Sequence, residues 1–137
     1  MKIPVNALPG DPIIDLNLKT LDGRPAKLDQ VLDSSFCFFL STGCPACKDA
    51  LPVLEQAFDD HHVVLVFVEE SAETATWVRS QNFSFDTYLV KSKDLEPFNI
   101  KTLPALLAYR DQKLKFGFHG VINAHKCQRM RGLFESH

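Results

Sequence analysis

Apolar residues fall into two kinds of run along this chain, and the difference between them predicts its elements. "SFCFFLS" (35–41) and "VVLVFVEE" (63–70) are continuous apolar stretches of strand length, the pattern of strands buried on both faces of a sheet. Between them Ala46, Ala50, Leu51, Leu54, Ala57 and Phe58 recur at three- and four-residue steps, which predicts an amphipathic helix starting directly after Cys44. Pro52 lies inside that helix, where its missing N–H predicts a kink. "AETATWVRSQN" (72–82) reads as a second helix with Ser71 as its N-cap.

The flanks are patterned differently. Residues 1–12 are punctuated by Pro and Gly and read as an extended lead-in. "IIDLNLKTLDGRPAKL" alternates apolar and polar residues about Asp22-Gly23, a hairpin signal. "FDTYLV" (85–90) is a short strand and "SKDLEPF" a turn or short helix. "PALLAYR" and "KLKFGFH", separated by Asp111-Gln112, predict an antiparallel hairpin. "NAHKCQRMRGLFES" predicts a terminal helix interrupted near Gly132. Strands alternating with helices, then a hairpin and a closing helix, give one α/β domain over 1–137, with a mixed central sheet and helices on both faces.

Composition narrows the function classes. With 45% hydrophobic and 23% charged residues, 137 residues can bury one ordinary core. A formal net charge of −2 excludes the electrostatic footprint of a nucleic-acid binder. Lys126, Arg129 and Arg131 read as one solvated helix face. No apolar run of membrane-spanning length occurs, and "MKIPVNALPGD" lacks signal-peptide features. The expectation is a domain that is itself soluble and monomeric. It would be cytoplasmic as it stands, or periplasmic or otherwise extracytoplasmic, tethered or not, if a signal or anchor was removed.

Four cysteines are too few for a disulfide scaffold, so they point to chemistry. Cys44-Pro45-Ala46-Cys47 sits where a buried strand meets a helix, the usual place for a site in such sheets. A helix start stabilises a thiolate through its dipole and unpaired N–H groups. Pro45 suits the first helical position, and Cys47 follows one turn later, in reach of a disulfide. Gly43 gives a tight approach that leaves Cys44 reachable, and Lys48 adds attraction for the thiolate. A structural bridge closing so short a loop would stabilise little. A zinc site needs four ligands, and writing Cys44 and Cys47 with His125 and Cys127 requires the last helix to reach the junction. A second mark is Leu103-Pro104 at the entrance of "ALLAY", where a cis or a trans peptide is admissible.

These two marks, with the lead-in "PGDPIIDLNLKTLDGRPAKL", the junction "STGCPACKDALP", the segment "TLPALLAYRDQKLKFGFHG" and the closing helix, resemble the thioredoxin superfamily. The likeness is to its TlpA-like thiol–disulfide oxidoreductases, and "GFHGVIN" with Cys-Pro-Ala-Cys is similar to the MauD type, implicated in maturing methylamine dehydrogenase. The resemblance implies a thioredoxin fold, Cys44 as nucleophile, Cys47 as resolving thiol and Pro104 as a cis-proline that keeps metal away. It implies that Thr102 and Leu103 offer backbone contacts to an extended client. Partners would be proteins carrying thiols or disulfides and an upstream redox protein; no cofactor or metal is expected. The departures are also specific. Gly43 stands where a tryptophan often precedes the first cysteine. Phe38 and Ala50 stand where relatives keep an acid, and Asp49 points about 100° away on a helix. A peroxiredoxin would need a proline upstream of the cysteine, which "FFLSTGC" lacks. A redox-inactive chaperone for a maturing cytochrome or dehydrogenase is the competing reading, and a metal-binding protein a more distant one. Cys37 reads as a core residue. Cys127 is either half-buried or an exposed thiol. His61 and His62 read as solvated loop residues, Trp77 as core, and His119 carries no role.

Overall fold

The computed structural model describes residues 9–58, 62–98, 100 and 102–135. The lead-in expected over 1–12 falls mostly outside them, as does His61. A hairpin opens the described chain: β1 (Asn17–Thr20) and β2 (Pro25–Lys27) pair antiparallel. Gly23 at its turn has φ +86°, a left-handed conformation natural only to glycine. A single helical turn, α1 (Leu28–Val31), follows; the sequence pattern did not predict it. Leu28, fully buried, pins that turn.

The rest runs β3 (Ser35–Leu40), α2 (Pro45–Ala57), β4 (Val63–Phe67), α3 (Ala72–Gln81), β5 (Asp86–Leu89), a 3₁₀ helix (Ser92–Phe98), β6 (Ala105–Arg110), β7 (Lys113–His119) and α4 (Ala124–Glu135). The sheet order is β2-β1-β5-β4-β3-β6-β7. β3 is parallel to β4 and β4 to β5, while β6 lies antiparallel to β3 and β7 to β6. The β6–β7 turn is formed by Asp111 and Gln112, both with positive φ (53° and 65°), the twist-matched turn of a two-residue hairpin.

The continuous apolar runs have a simple cause. Phe36, Phe38 and Leu40 of β3 join Val63, Leu65 and Phe67 of β4 in one core layer with residues of α2, α3 and α4. Cys37 and Phe39 join Val64 and Val66 in the other, covered by Ile13, Ile14 and Leu16, by α1 and by the 3₁₀ helix. Helices thus cover both faces, but the three long ones share one. Phe36 is the hub of an aromatic cluster, with ring centroids 4.6 Å from Phe58 and 4.5 Å from Phe134.

α2 runs Pro45–Ala57 with Pro52 inside it, as the pattern predicts. Other local expectations are corrected. α4 runs unbroken through Gly132, capped by the Asn123 side chain, whose oxygen accepts the Lys126 N–H at 2.9 Å. Its basic face is not simply solvated: Lys126 Nζ lies 5.2 Å from the Phe118 ring centroid, and the Arg131 Nε is buried. His62 is exposed, as expected of a loop residue, yet it bonds Ser35 Oγ at 2.6 Å and Asp86 at 3.3 Å. That Ser–His–Asp line is no hydrolytic triad. Ser35 is fully buried, so the three residues stitch the starts of β3, β4 and β5 together at the sheet end remote from Cys44.

Phe58→Ala removes the fully buried partner of Phe36 and Phe38. Truncating such a ring is expected to cost about 3–5 kcal/mol of unfolding free energy, read from urea denaturation. A loss below about 1 kcal/mol would show that the aromatic cluster does not hold the helices to β3.

Candidate active site

Cys44 ends the turn that leaves β3. Its N–H donates to the Ser41 carbonyl at 3.2 Å, and its extended backbone makes it the N-cap of α2. Its sulfur accepts the Cys47 N–H at 3.2 Å. This is the capping bond that a serine or aspartate oxygen makes at a helix start. Pro45 takes the first helical position. On the other side, the Cys44 thiol donates to the Leu103 carbonyl at 3.7 Å. The Leu103–Pro104 peptide is cis, and Pro104 is buried, its carbonyl accepting the Gly120 N–H at 3.0 Å. All four cysteines are free thiols.

The two site thiols differ in surroundings. Cys44 is half-buried; Cys47 is packed into the core layer under α2. Burial pushes the Cys47 thiol up to about 12, the hydrogen bond with Cys44 adds to this, and a backbone hydrogen bond from Ser41 opposes it. The charges of Cys44 and Glu69 raise it further. Cys37 and Cys127 are fully buried; burial raises Cys37 strongly and Cys127 to about 11.

Glu69, two residues beyond β4, is the acid that this sequence was not expected to supply. Its Oε1 accepts Ser41 Oγ at 3.1 Å, Thr42 Oγ1 at 2.8 Å and the Thr42 N–H. Its Oε2 accepts Thr42 Oγ1 at 2.7 Å and Thr74 Oγ1 at 3.2 Å. Burial works against its charge, but the hydrogen bonds from Thr42, Ser41 and Thr74 outweigh it and hold the carboxyl below its usual value. Strand register was the signal: Leu40 pairs with Phe67 in parallel, so the residues leaving β3 run beside those leaving β4.

No family model matches this sequence, and no curated protein matches it. Solved structures do. A proposed thiol:disulfide interchange protein DsbE from Chlorobium tepidum superposes with TM-score 0.75 at 20% identity, over 93% of this chain and 99% of that one. The chain has the thioredoxin fold. A secreted Mycobacterium tuberculosis disulfide oxidoreductase, homologous to Escherichia coli DsbE, gives TM-score 0.68 at 18% identity over 88% of this chain and 94% of its own. A thiol peroxidase from Chromobacterium violaceum gives 0.68 at 11% identity over 95% and 89%. The expected fold is therefore present, with its mixed sheet and N-terminal hairpin.

On that thioredoxin fold, Cys44, Pro45, Cys47, Leu103 and Pro104 come together at the junction of β3, α2 and the start of β6. Thr102 is exposed beside them. Gly43 is also exposed, and its φ is not positive. A Cβ there would meet only Ser41 Oγ at 3.8 Å, so the backbone does not require glycine. What glycine does is leave the approach to Cys44 bare where a tryptophan would cover it. Lys48 is corrected: its Nζ lies 5.4 Å from the centroid of the Trp77 ring, a cation–π contact with α3, not a partner of the Cys44 sulfur. Trp77 is part-buried, packed on Phe67 and Phe83. Among the described residues no three His, Cys, Asp or Glu side chains gather as metal ligands.

Two outcomes follow from the thiol environments. At about pH 7.5, iodoacetamide should modify Cys44 in the folded, reduced protein well before Cys37, Cys47 and Cys127, because only thiolates react and the buried thiols stay protonated. Peptide mass mapping reads this, and comparable labelling of Cys47 would refute it. Unfolded thiols titrate near pH 8.5, whereas folded Cys127 and Cys47 do so at about 11 and about 12. The unfolded state therefore loses these protons first, and stability held below about pH 8.5 declines as pH rises from there. The urea midpoint at about pH 10 should lie below that at about pH 7.5, and the gap should shrink in Cys127→Ala.

Proposed function

We propose that this chain is a thiol–disulfide oxidoreductase of the TlpA-like branch, exchanging disulfides with protein substrates. The observation that carries the reading is the Cys44 sulfur, half-exposed, capped by the Cys47 N–H and one helical turn from a second thiol. Cys44 is the nucleophile. Its thiolate attacks one sulfur of a client disulfide; a Cys44–client bond forms, and the other client sulfur leaves and takes up a proton. Cys47, its proton lost to solvent, then attacks the Cys44 sulfur. The mixed disulfide breaks, Cys44 and Cys47 become the disulfide, and the client has gained two electrons. An upstream dithiol protein then reduces the Cys44–Cys47 disulfide and is itself oxidised to a disulfide.

Gly43, Pro45, Thr102, Leu103 and Pro104 form the client-facing surround. The Leu103 carbonyl, which accepts a hydrogen bond from the Cys44 thiol in the reduced state, is released when that sulfur bonds a client. It then faces a client N–H in a strand-like contact. The reading places the activity outside the cytoplasm, in keeping with the secreted mycobacterial neighbour. No described helix is long and apolar enough to cross a membrane. A peroxidase assignment is disfavoured despite the peroxidase neighbour, because "FFLSTGC" carries no proline to cradle a peroxide.

One observation favours a second reading. Cys47 is held protonated, and Phe38 and Ala50 are apolar and fully buried where a proton acceptor would serve it. A protein that only holds its client on this surface would show those features too. Insulin reduction separates the two. The wild type should turn over with dithiothreitol, Cys44→Ser should be inactive, and Cys47→Ser should accumulate a mixed disulfide. Equal turnover by wild type and Cys44→Ser sinks the enzyme reading. A redox titration against glutathione is expected to give a reducing couple, and a potential near about −120 mV would reverse the proposed direction.

A further inference from the structure

The turn 41–43 has no regular secondary structure, yet both site cysteines depend on it. The Ser41 carbonyl accepts the Cys44 N–H, and the Ser41 backbone bonds the Cys47 thiol. Gly43, next to Cys44, is tied back by its N–H to Ser41 Oγ at 3.2 Å. Ser41 Oγ in turn donates to Glu69 at 3.1 Å. The polarity runs one way, from the Gly43 N–H to the Ser41 hydroxyl to the carboxylate. Thr42 donates twice more, from its backbone and its hydroxyl.

The far side of Glu69 is equally determined. Thr74 is buried in the first turn of α3 and donates its hydroxyl to Oε2. Its own oxygen receives the Ser71 hydroxyl at 2.9 Å, while Ser71 caps the helix through the Thr74 N–H at 3.1 Å. The carboxylate thus joins the start of α3 to the turn that presents Cys44. Its lone pairs are taken by donors, which suits it to hold a backbone and not to relay protons.

We infer that Glu69 is the positioning residue of the thiol pair: by anchoring Ser41 and Thr42 it holds the 41–43 turn in the form that caps α2 with the Cys44 sulfur. It acts through the turn and touches neither sulfur. The inference rests on Cys44 being the reactive thiol, and it needs no client.

Glutamine and alanine at this position are both uncharged, so the difference between them isolates the hydrogen bonds. Glu69→Gln keeps a carbonyl oxygen for the Thr42 N–H and Ser41 Oγ, and the threonine hydroxyls can rotate to meet its amide. Glu69→Ala keeps nothing. The measurement is the rate of Cys44 alkylation by iodoacetamide and of exchange with oxidised glutathione, with urea stability recorded for each variant. Glu69→Ala should react about fivefold more slowly than Glu69→Gln, the size of a lost capping bond. Mere loosening of the fold would instead speed alkylation and expose the other three thiols. Equal rates in the two variants, or a faster alanine variant, overturn the inference. Should Glu69→Ala not fold, Ser41→Ala cuts the relay to Gly43 with the charge intact. It should slow Cys44 by about twofold or more, and a wild-type rate would overturn the inference as well. A protein inert toward insulin that still reacts in the order Gln above Ala would uphold the role of Glu69 while refuting the enzyme reading.

Discussion

All six residues of β3, Ser35–Leu40, are buried, and that burial is the constraint on which the rest of the molecule hangs. A strand dry on both faces must satisfy every backbone group within the sheet, so it needs a partner on each side. β4 supplies one edge and β6 the other. The side chains then admit one register, because a slip by one residue would move Phe36, Phe38 and Leu40 to the opposite core layer. Where β3 ends is thereby determined, and Cys44 follows four residues later.

The two pairings carry the chemistry with them. Along β6 the pairing is antiparallel and opposes Phe39 to Ala105, which brings Leu103 and Pro104, just before β6, to the end where β3 releases its chain. Along β4 the pairing is parallel and sets Leu40 beside Phe67, so Glu69 emerges next to Thr42. Residues distant in sequence meet at one end of the sheet because backbone hydrogen bonds fix their levels. The helix start supplies the remaining part. α2 begins where β3 has just left the sheet, and its Cys47 N–H faces the sulfur.

Legibility followed the physics of each feature. The buried strands, the amphipathic α2, the Ser71 cap and the Asp111-Gln112 hairpin rest on local pattern, and each was readable from the sequence. Gly132 looked like a break by propensity, but Met130 and Phe134 on either side pack into the core and carry α4 through it. Lys48 looked like a thiolate partner by spacing alone; the Trp77 face, on another helix, drew it away. Glu69 was hidden for a similar reason. Its meaning lies in strand register and in a threonine on α3, neither of which any local window contains.

The acid of this site is also of a different kind from the one sought in the sequence. Carboxylates at positions 38 or 50 would lie within the core layer that holds Cys47, where burial would favour their protonated form and fit them to exchange a proton. Glu69 lies outside that layer and is bonded by three residues, so its charge is fixed. Phe38 and Ala50 instead belong to the apolar layer that holds Cys47, whose burial keeps its thiol protonated. The arrangement therefore divides the pair by environment. One sulfur is half-exposed and capped at a helix start, while the other is sheltered in the core layer.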